Sequence, residues 1–122
     1  MKRFITEDYI KMENPTPGES YRPEILKAEH GAKDIGGMFG LLPAGTQVPY
    51  HYHNKRESII TIISGHGIEI MDGEEIPISA GDVFFIPVGV KHTTVNNSDS
   101  DLRYLEFFSQ PPVGSDFVEV TP

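Results

Sequence analysis

The chain has 122 residues, a net charge of −8 from 18 acidic against 10 basic side chains, and no cysteine. The length suits one domain with a single core. The charge argues against nucleic acid and anionic lipid, whose binding rests on phosphate neutralisation, and no Lys/Arg cluster offsets it. The lack of cysteine excludes disulfides, thiolate metal sites and a cysteine nucleophile. The opening residues Met1-Lys2-Arg3-Phe4-Ile5-Thr6-Glu7-Asp8 turn acidic too soon for a signal peptide. No apolar run approaches the ~18 residues that cross a bilayer. The expectation is a cytoplasmic protein with no membrane partner.

Twelve Gly and ten Pro punctuate the chain, and short segments rich in Ile, Val, Phe and Tyr lie between them. That pattern predicts an all-β barrel or sandwich. Thr6 to Met12 can form a short helix, ended by Asn14-Pro15-Thr16-Pro17-Gly18. Arg22 to Ala28 and Ile35 to Leu42 are strand candidates, the second carrying Gly36, Gly37 and Gly40 as marks of bulges or close backbone approach. Val48 to His53 alternates, with Val48, Tyr50 and Tyr52 on one face and Pro49, His51 and His53 on the other. Ile59 to Ile63, apolar on both faces, reads as a central strand. Gly65-His66-Gly67 is expected to turn. Ile68 to Met71 and Glu75 to Ile78 flank Asp72-Gly73, a strong hairpin signal. Val83 to Ile86, His92 to Val95 and Leu102 to Phe108 complete the strands. For the last of these, two inward sets fit: Leu105/Phe107 or Tyr104/Glu106/Phe108. Phe39, Phe85, Tyr104 and Phe107 are expected mainly in the core. After Pro111-Pro112 the tail reads as a poorly packed terminus or a dimer arm.

His51 and His53 share one face of a strand, because side chains alternate with a period of two. Two imidazoles so placed can grip one ion. Glu57 follows a short polar break and can swing back as a third ligand. His92 comes from a distant strand, aimed by the turn Pro87-Val88-Gly89-Val90-Lys91. Thr94 shares its face. This donor set suits one divalent transition metal ion (Fe, Mn, Ni, Co, Cu or Zn) over Ca or Mg. With open coordination positions, the ion could serve catalysis. His30 and His66, beside glycines, read as solvated turn residues. Arg56 reads as a surface cation, and Asn96 as a partner for backbone groups at a strand end.

The stretch Gly45-Thr46-Gln47-Val48-Pro49-Tyr50-His51-Tyr52-His53-Asn54-Lys55-Arg56-Glu57, continuing to Gly65, resembles the first cupin motif. Gly81-Asp82-Val83-Phe84-Phe85-Ile86-Pro87-Val88-Gly89-Val90-Lys91-His92-Thr93-Thr94-Val95-Asn96 resembles the second. The resemblance implies a cupin-type double-stranded β-helix (jelly-roll barrel) as one domain over 1–122, with a barrel core of about 36–109 and an N-terminal arm over 1–30. It implies a metal held by His51, His53, Glu57 and His92, and a homodimer in which the arm covers the partner's barrel. One departure stands out. Seven residues separate Glu57 from Gly65, one more than the common pattern. Either a bulge absorbs the extra residue, or Glu57 turns away and Ser58 takes the inward register.

The resemblance spans several functions, since fold alone does not settle chemistry. The leading expectation is a metal-dependent enzyme, a Lewis-acid isomerase or lyase or a dioxygenase, acting on a small polar substrate with Glu57 able to serve as base. The alternative is a non-catalytic module that binds or senses a small molecule.

Overall fold

The computed structural model describes residues 1–121. Among these residues ten strands form two five-stranded sheets, and their pairings are antiparallel. After the helix α1 (Thr6–Ile10), the strands are β1 (Glu24–Leu26), β2 (Ile35–Leu42), β3 (His51–Tyr52), β4 (Ser58–Ser64), β5 (His66–Met71), β6 (Glu74–Ser79), β7 (Val83–Ile86), β8 (His92–Val95), β9 (Leu102–Ser109) and β10 (Val118–Glu119). One sheet has the order β1-β2-β9-β4-β7 and the other β10-β3-β8-β5-β6. Apart from the neighbours β1 and β2 and the hairpin β5-β6, successive strands cross between the sheets, which is the double-stranded β-helix expected from the sequence.

The inner faces meet in a core of Leu42, Val48, Ile60, Ile62, Ile78, Ile86, Leu102 and Tyr104. Strand parity selects these residues. On β4, Ser58, Ile60 and Ile62 are buried while Ile59 is exposed. On β9 the inward set is Leu102, Tyr104, Glu106 and Phe108, all buried. This settles the open choice on that strand in favour of Tyr104/Glu106/Phe108. The partner strand β2 faces them with Gly36, Met38, Gly40 and Leu42. A Cβ on Gly40 would lie 2.1 Å from Tyr104 Cζ, so glycine there makes room for the tyrosine ring.

The outer face of the first sheet carries a second cluster of Phe39, Leu41 and Leu105. The N-terminal segment covers it: Tyr9, Met12 and Tyr21 pack on the cluster, and Phe4 meets Phe107 edge-on at 5.2 Å.

Several local expectations hold. Asp72 and Gly73, both at positive φ, join β5 to β6 as a two-residue hairpin. Their left-handed backbone matches the twist of the flanking strands. Asn96, fully buried, donates to the carbonyls of Leu42 and Ser100 and accepts from Ser98. Others differ. Gly65 alone makes the passage from β4 to β5, and His66 and Gly67 already lie in β5. The strand expected over Val48 to His53 is interrupted at Pro49-Tyr50, so Val48 and His51 are both buried despite opposite parity. Proline lacks the N–H that would continue the ladder. Phe85 lies half exposed on the outer face of β7, outside the core.

Candidate metal centre

Three imidazoles converge between the sheets. His51 on β3 pairs directly with His92 on β8, and His53 follows β3 by one residue. Each offers one ligand atom, and these atoms lie within 4.8 Å of one another. All three side chains are buried.

The ring nitrogens are already sorted. Nδ1 of His51 meets the Pro49 carbonyl at 2.6 Å, Nδ1 of His53 meets the Asp116 carbonyl, and Nδ1 of His92 meets Glu69 Oε2 at 3.0 Å. Each Nδ1 therefore carries the proton and donates it to an oxygen, which leaves Nε2 as a lone-pair donor. His92 Nε2 is buried and has no partner among the described residues. A buried polar atom without a partner is costly, and a metal ion is the acceptor that such a nitrogen fits.

The electrostatics favour neutral rings. Burial, reinforced mainly by the neighbouring His92, lowers the His51 pKa from 6.5 to about 3. Burial also lowers that of His53, against the opposing bond to the Asp116 carbonyl. Neutral imidazole is the metal-binding form.

These shifts have a sign for stability. Between about 3 and 6.5 the unfolded chain binds a proton at His51 and the folded chain does not, so stability falls as pH falls through that window. Glu69 acts oppositely, since burial raises its pKa and the folded state takes up its proton first. The metal-free protein should lose roughly 1 kcal/mol per pH unit on acidification while the His51 window is open. Thermal melts in chelator from pH 7 to pH 4 would show this. An equal slope in His51→Ala would contradict the assignment.

Glu69 is the residue that sequence reasoning missed. On β5 it is fully buried while its neighbours Ile68 and Ile70 are only half-buried, so the strand turns its charge inward. Its Oε2 accepts from His92, and its Oε1 accepts from Thr94 Oγ1 at 2.6 Å. The expected inward placement of Thr94 beside His92 thus holds. A carboxylate behind a ligating histidine fixes the tautomer and raises donor strength. Glu69→Gln should weaken metal affinity about 10–100-fold, read by chelator competition; unchanged affinity would remove Glu69 from this role.

Glu57, expected as the fourth ligand, stands apart from the histidine group, with an exposed side chain. Its backbone N–H donates to Ser109 Oγ at 3.1 Å and its carbonyl accepts from the Ser109 N–H. Alternation about this anchored residue sends Arg56 and Ser58 inward and Glu57 outward. The additional residue before Gly65 leaves Ser58 in the inward register.

Arg56 is buried, contrary to the surface reading. Its guanidinium donates to the carbonyls of Ser109, Gln110, Pro112 and Val113 at 2.7–3.1 Å and lies 4.3 Å from the Phe108 ring centroid. Asp116 answers from the tail: its carboxylate accepts from the N–H groups of Asn54, Lys55 and Arg56. Those bonds outweigh the effect of burial and lower its pKa. The tail, expected as a poorly packed terminus or a dimer arm, is therefore fastened to its own chain. It brings Phe117 into a stack on His51, centroids 4.3 Å apart, and β10 pairs with β3.

A double-stranded β-helix with three inward histidines defines a class of small protein with a candidate metal centre. The chain belongs to the cupin family: residues 38–108 match the cupin domain. An oxalate-binding protein from Thermotoga maritima is 38% identical over 64 residues, 52% of this chain and 53% of that protein. The match thus spans about half the length of that curated relative. An uncharacterized conserved protein with a double-stranded β-helix domain from Klebsiella pneumoniae superposes with a TM-score of 0.79 at 20% identity, covering 100% of this chain and 99% of the other. A predicted oxalate decarboxylase from Thermotoga maritima gives a TM-score of 0.71 at 29% identity, covering 77% and 83%. No helix among the described residues is long and apolar enough to cross a membrane.

Proposed function

We propose that this cupin holds one divalent transition metal ion on His51, His53 and His92 and acts there as an enzyme on a small, oxygen-rich polar molecule. The observation that carries the reading is the buried, unpartnered Nε2 of His92 beside two further imidazoles whose Nδ1 atoms are already engaged. When bound, such an ion supplies Lewis acidity, or dioxygen activation if it is iron. The chain's own groups do the rest. Glu69 and the carbonyls of Pro49 and Asp116 orient the rings, and Phe117 stacks on His51. An isomerase, lyase or decarboxylase fits this environment.

The test begins with elemental analysis of protein purified without chelator or nickel affinity. Turnover of keto acids, dicarboxylates and sugars by metal-loaded protein follows, with His51→Ala as control. Activity that survives His51→Ala would defeat the reading.

A second reading is a metal-dependent binding module without catalysis. Phe117 stacked on His51 closes one side of the centre, and the Thermotoga relative carries an oxalate-binding name. Tight binding with no product would favour it.

We further propose that the chain forms a homodimer. Ile59, Val83 and Phe85 are exposed on strands β4 and β7 at one margin of the first sheet, and such an apolar surface suits a partner. Light scattering that gives a monomer at micromolar concentration would end this proposal.

A further inference from the structure

Arg22 enters the interior by strand parity. Tyr21 bridges Leu41 by two backbone hydrogen bonds of 2.8 and 3.0 Å and packs on the outer cluster. The next residue therefore points to the opposite face, where Gly40 offers no side chain. There the guanidinium lies near the Tyr104 hydroxyl, close enough for the two groups to interact. It also lies close enough to His51 and Glu106 for their charges to interact.

This guanidinium is under-satisfied. Its Nε is buried without a partner, and Arg22 forms no ion pair within 4.0 Å among the described residues. Tyr104 cannot act as its counter-ion, because burial pushes the phenol pKa to about 12 and keeps it neutral. Arg56 shows the contrast: its Nε and both terminal nitrogens donate to carbonyls. Arg103 also has a buried Nε without a partner, but it is paired with Asp101 and donates to the Met12 carbonyl. Among the described residues Arg22 has neither an ion pair nor a carbonyl acceptor, and an arginine so left beside a ligand site is suited to an incoming acceptor.

The interior charge agrees. Arg22 and Arg56 balance Glu69 and Glu106. A divalent ion on the histidines would leave two positive charges in a site shielded from water, where they interact strongly. A carboxylate ligand offsets them and offers Arg22 the planar acceptor its fork matches.

We propose that Arg22 is the anchor for a small carboxylate anion, one end of which faces the three-histidine centre. This rests on the metal reading above for the position of the ligand, and on Arg22 itself for its charge.

The experiment is calorimetric titration of Co(II)-loaded protein with malonate and with its neutral counterpart malonamide, in wild type, Arg22→Met and Arg22→Lys. The Co(II) visible spectrum reports independently that the ion stays bound. Wild type should prefer malonate, and Arg22→Met should lose roughly 10–100-fold in malonate affinity with Co(II) occupancy unchanged. If Arg22→Met does not fold, Arg22→Lys decides, because it keeps the charge but lacks the Nε donor; its affinity should fall several-fold. Malonate affinity in the folded variant equal to wild type, or no preference of wild type for malonate over malonamide, would overturn the proposal. If no Co(II) binds, the metal reading fails by itself. The same titration of metal-free protein then still reads Arg22: weaker malonate binding in the variant supports the anchor, and equal or absent binding overturns it.

Discussion

His51→Ala and His92→Ala should each weaken metal binding by more than ~100-fold, because even outer partners of a ligand cost 10–100-fold and here a ligand itself is lost. Glu57→Ala should leave metal occupancy unchanged, since that side chain is exposed and outside the histidine group. Elemental analysis and the Co(II) spectrum of the three variants would check both halves. The contrast matters more than either half. Retention of stoichiometric metal by His92→Ala would remove the centre from these residues. Loss of metal in Glu57→Ala would mean that the loop over 54–57 rearranges when the ion binds. Metal-free His51→Ala should remain folded, because the ring it removes is crowded by His92 and is disfavoured in its charged form.

Arg56→Ala should be the most destabilising of the substitutions considered. It strips four carbonyls of their donor and empties the space over Phe108. Unpaired buried groups cost about 1–3 kcal/mol each, and solvent reaching the tail would recover part of this, so a loss of about 3–5 kcal/mol is expected. For a domain of this size that corresponds to a fall in Tm of roughly 10–20 °C. Arg56→Lys should recover little, because an ammonium keeps the charge but cannot reproduce the planar fork. The loss should reach the metal centre too. Freed at 109–113, the tail would carry away the Asp116 carbonyl that orients His53 and the Phe117 ring that covers His51. Thermal melts with and without metal would measure both effects. A Tm within a few degrees of wild type would show that the tail does not depend on Arg56.

These two results probe opposite sides of what could be read from the chain. His51, His53 and His92 are legible because each signal is local. Two histidines one residue apart in a strand share a face whatever the surroundings, and the Pro/Gly turn before His92 fixes its approach. The Asp72-Gly73 hairpin and the role of Asn96 are local in the same sense. The cupin motifs extend this to the whole fold, because they mark the strands that carry the ligands.

Glu57, Arg56, Glu69 and Arg22 were not legible, for a shared physical reason. Whether a polar side chain faces inward depends on the parity of its strand, and parity is reset wherever the backbone is interrupted. Ser109 anchors Glu57 from 52 residues away, and the carbonyls that draw Arg56 inside lie 53 to 57 residues on. What compensates the burial of Glu69 is not visible in its own strand, because its partners, His92 and Thr94, come from β8. Sequence alone therefore determined the double-stranded β-helix and the three imidazoles at its centre. Only the tertiary structure decided which carboxylate stands beside them, which arginine holds the tail, and which is left facing the interior, since those choices rest on partners distant in the chain.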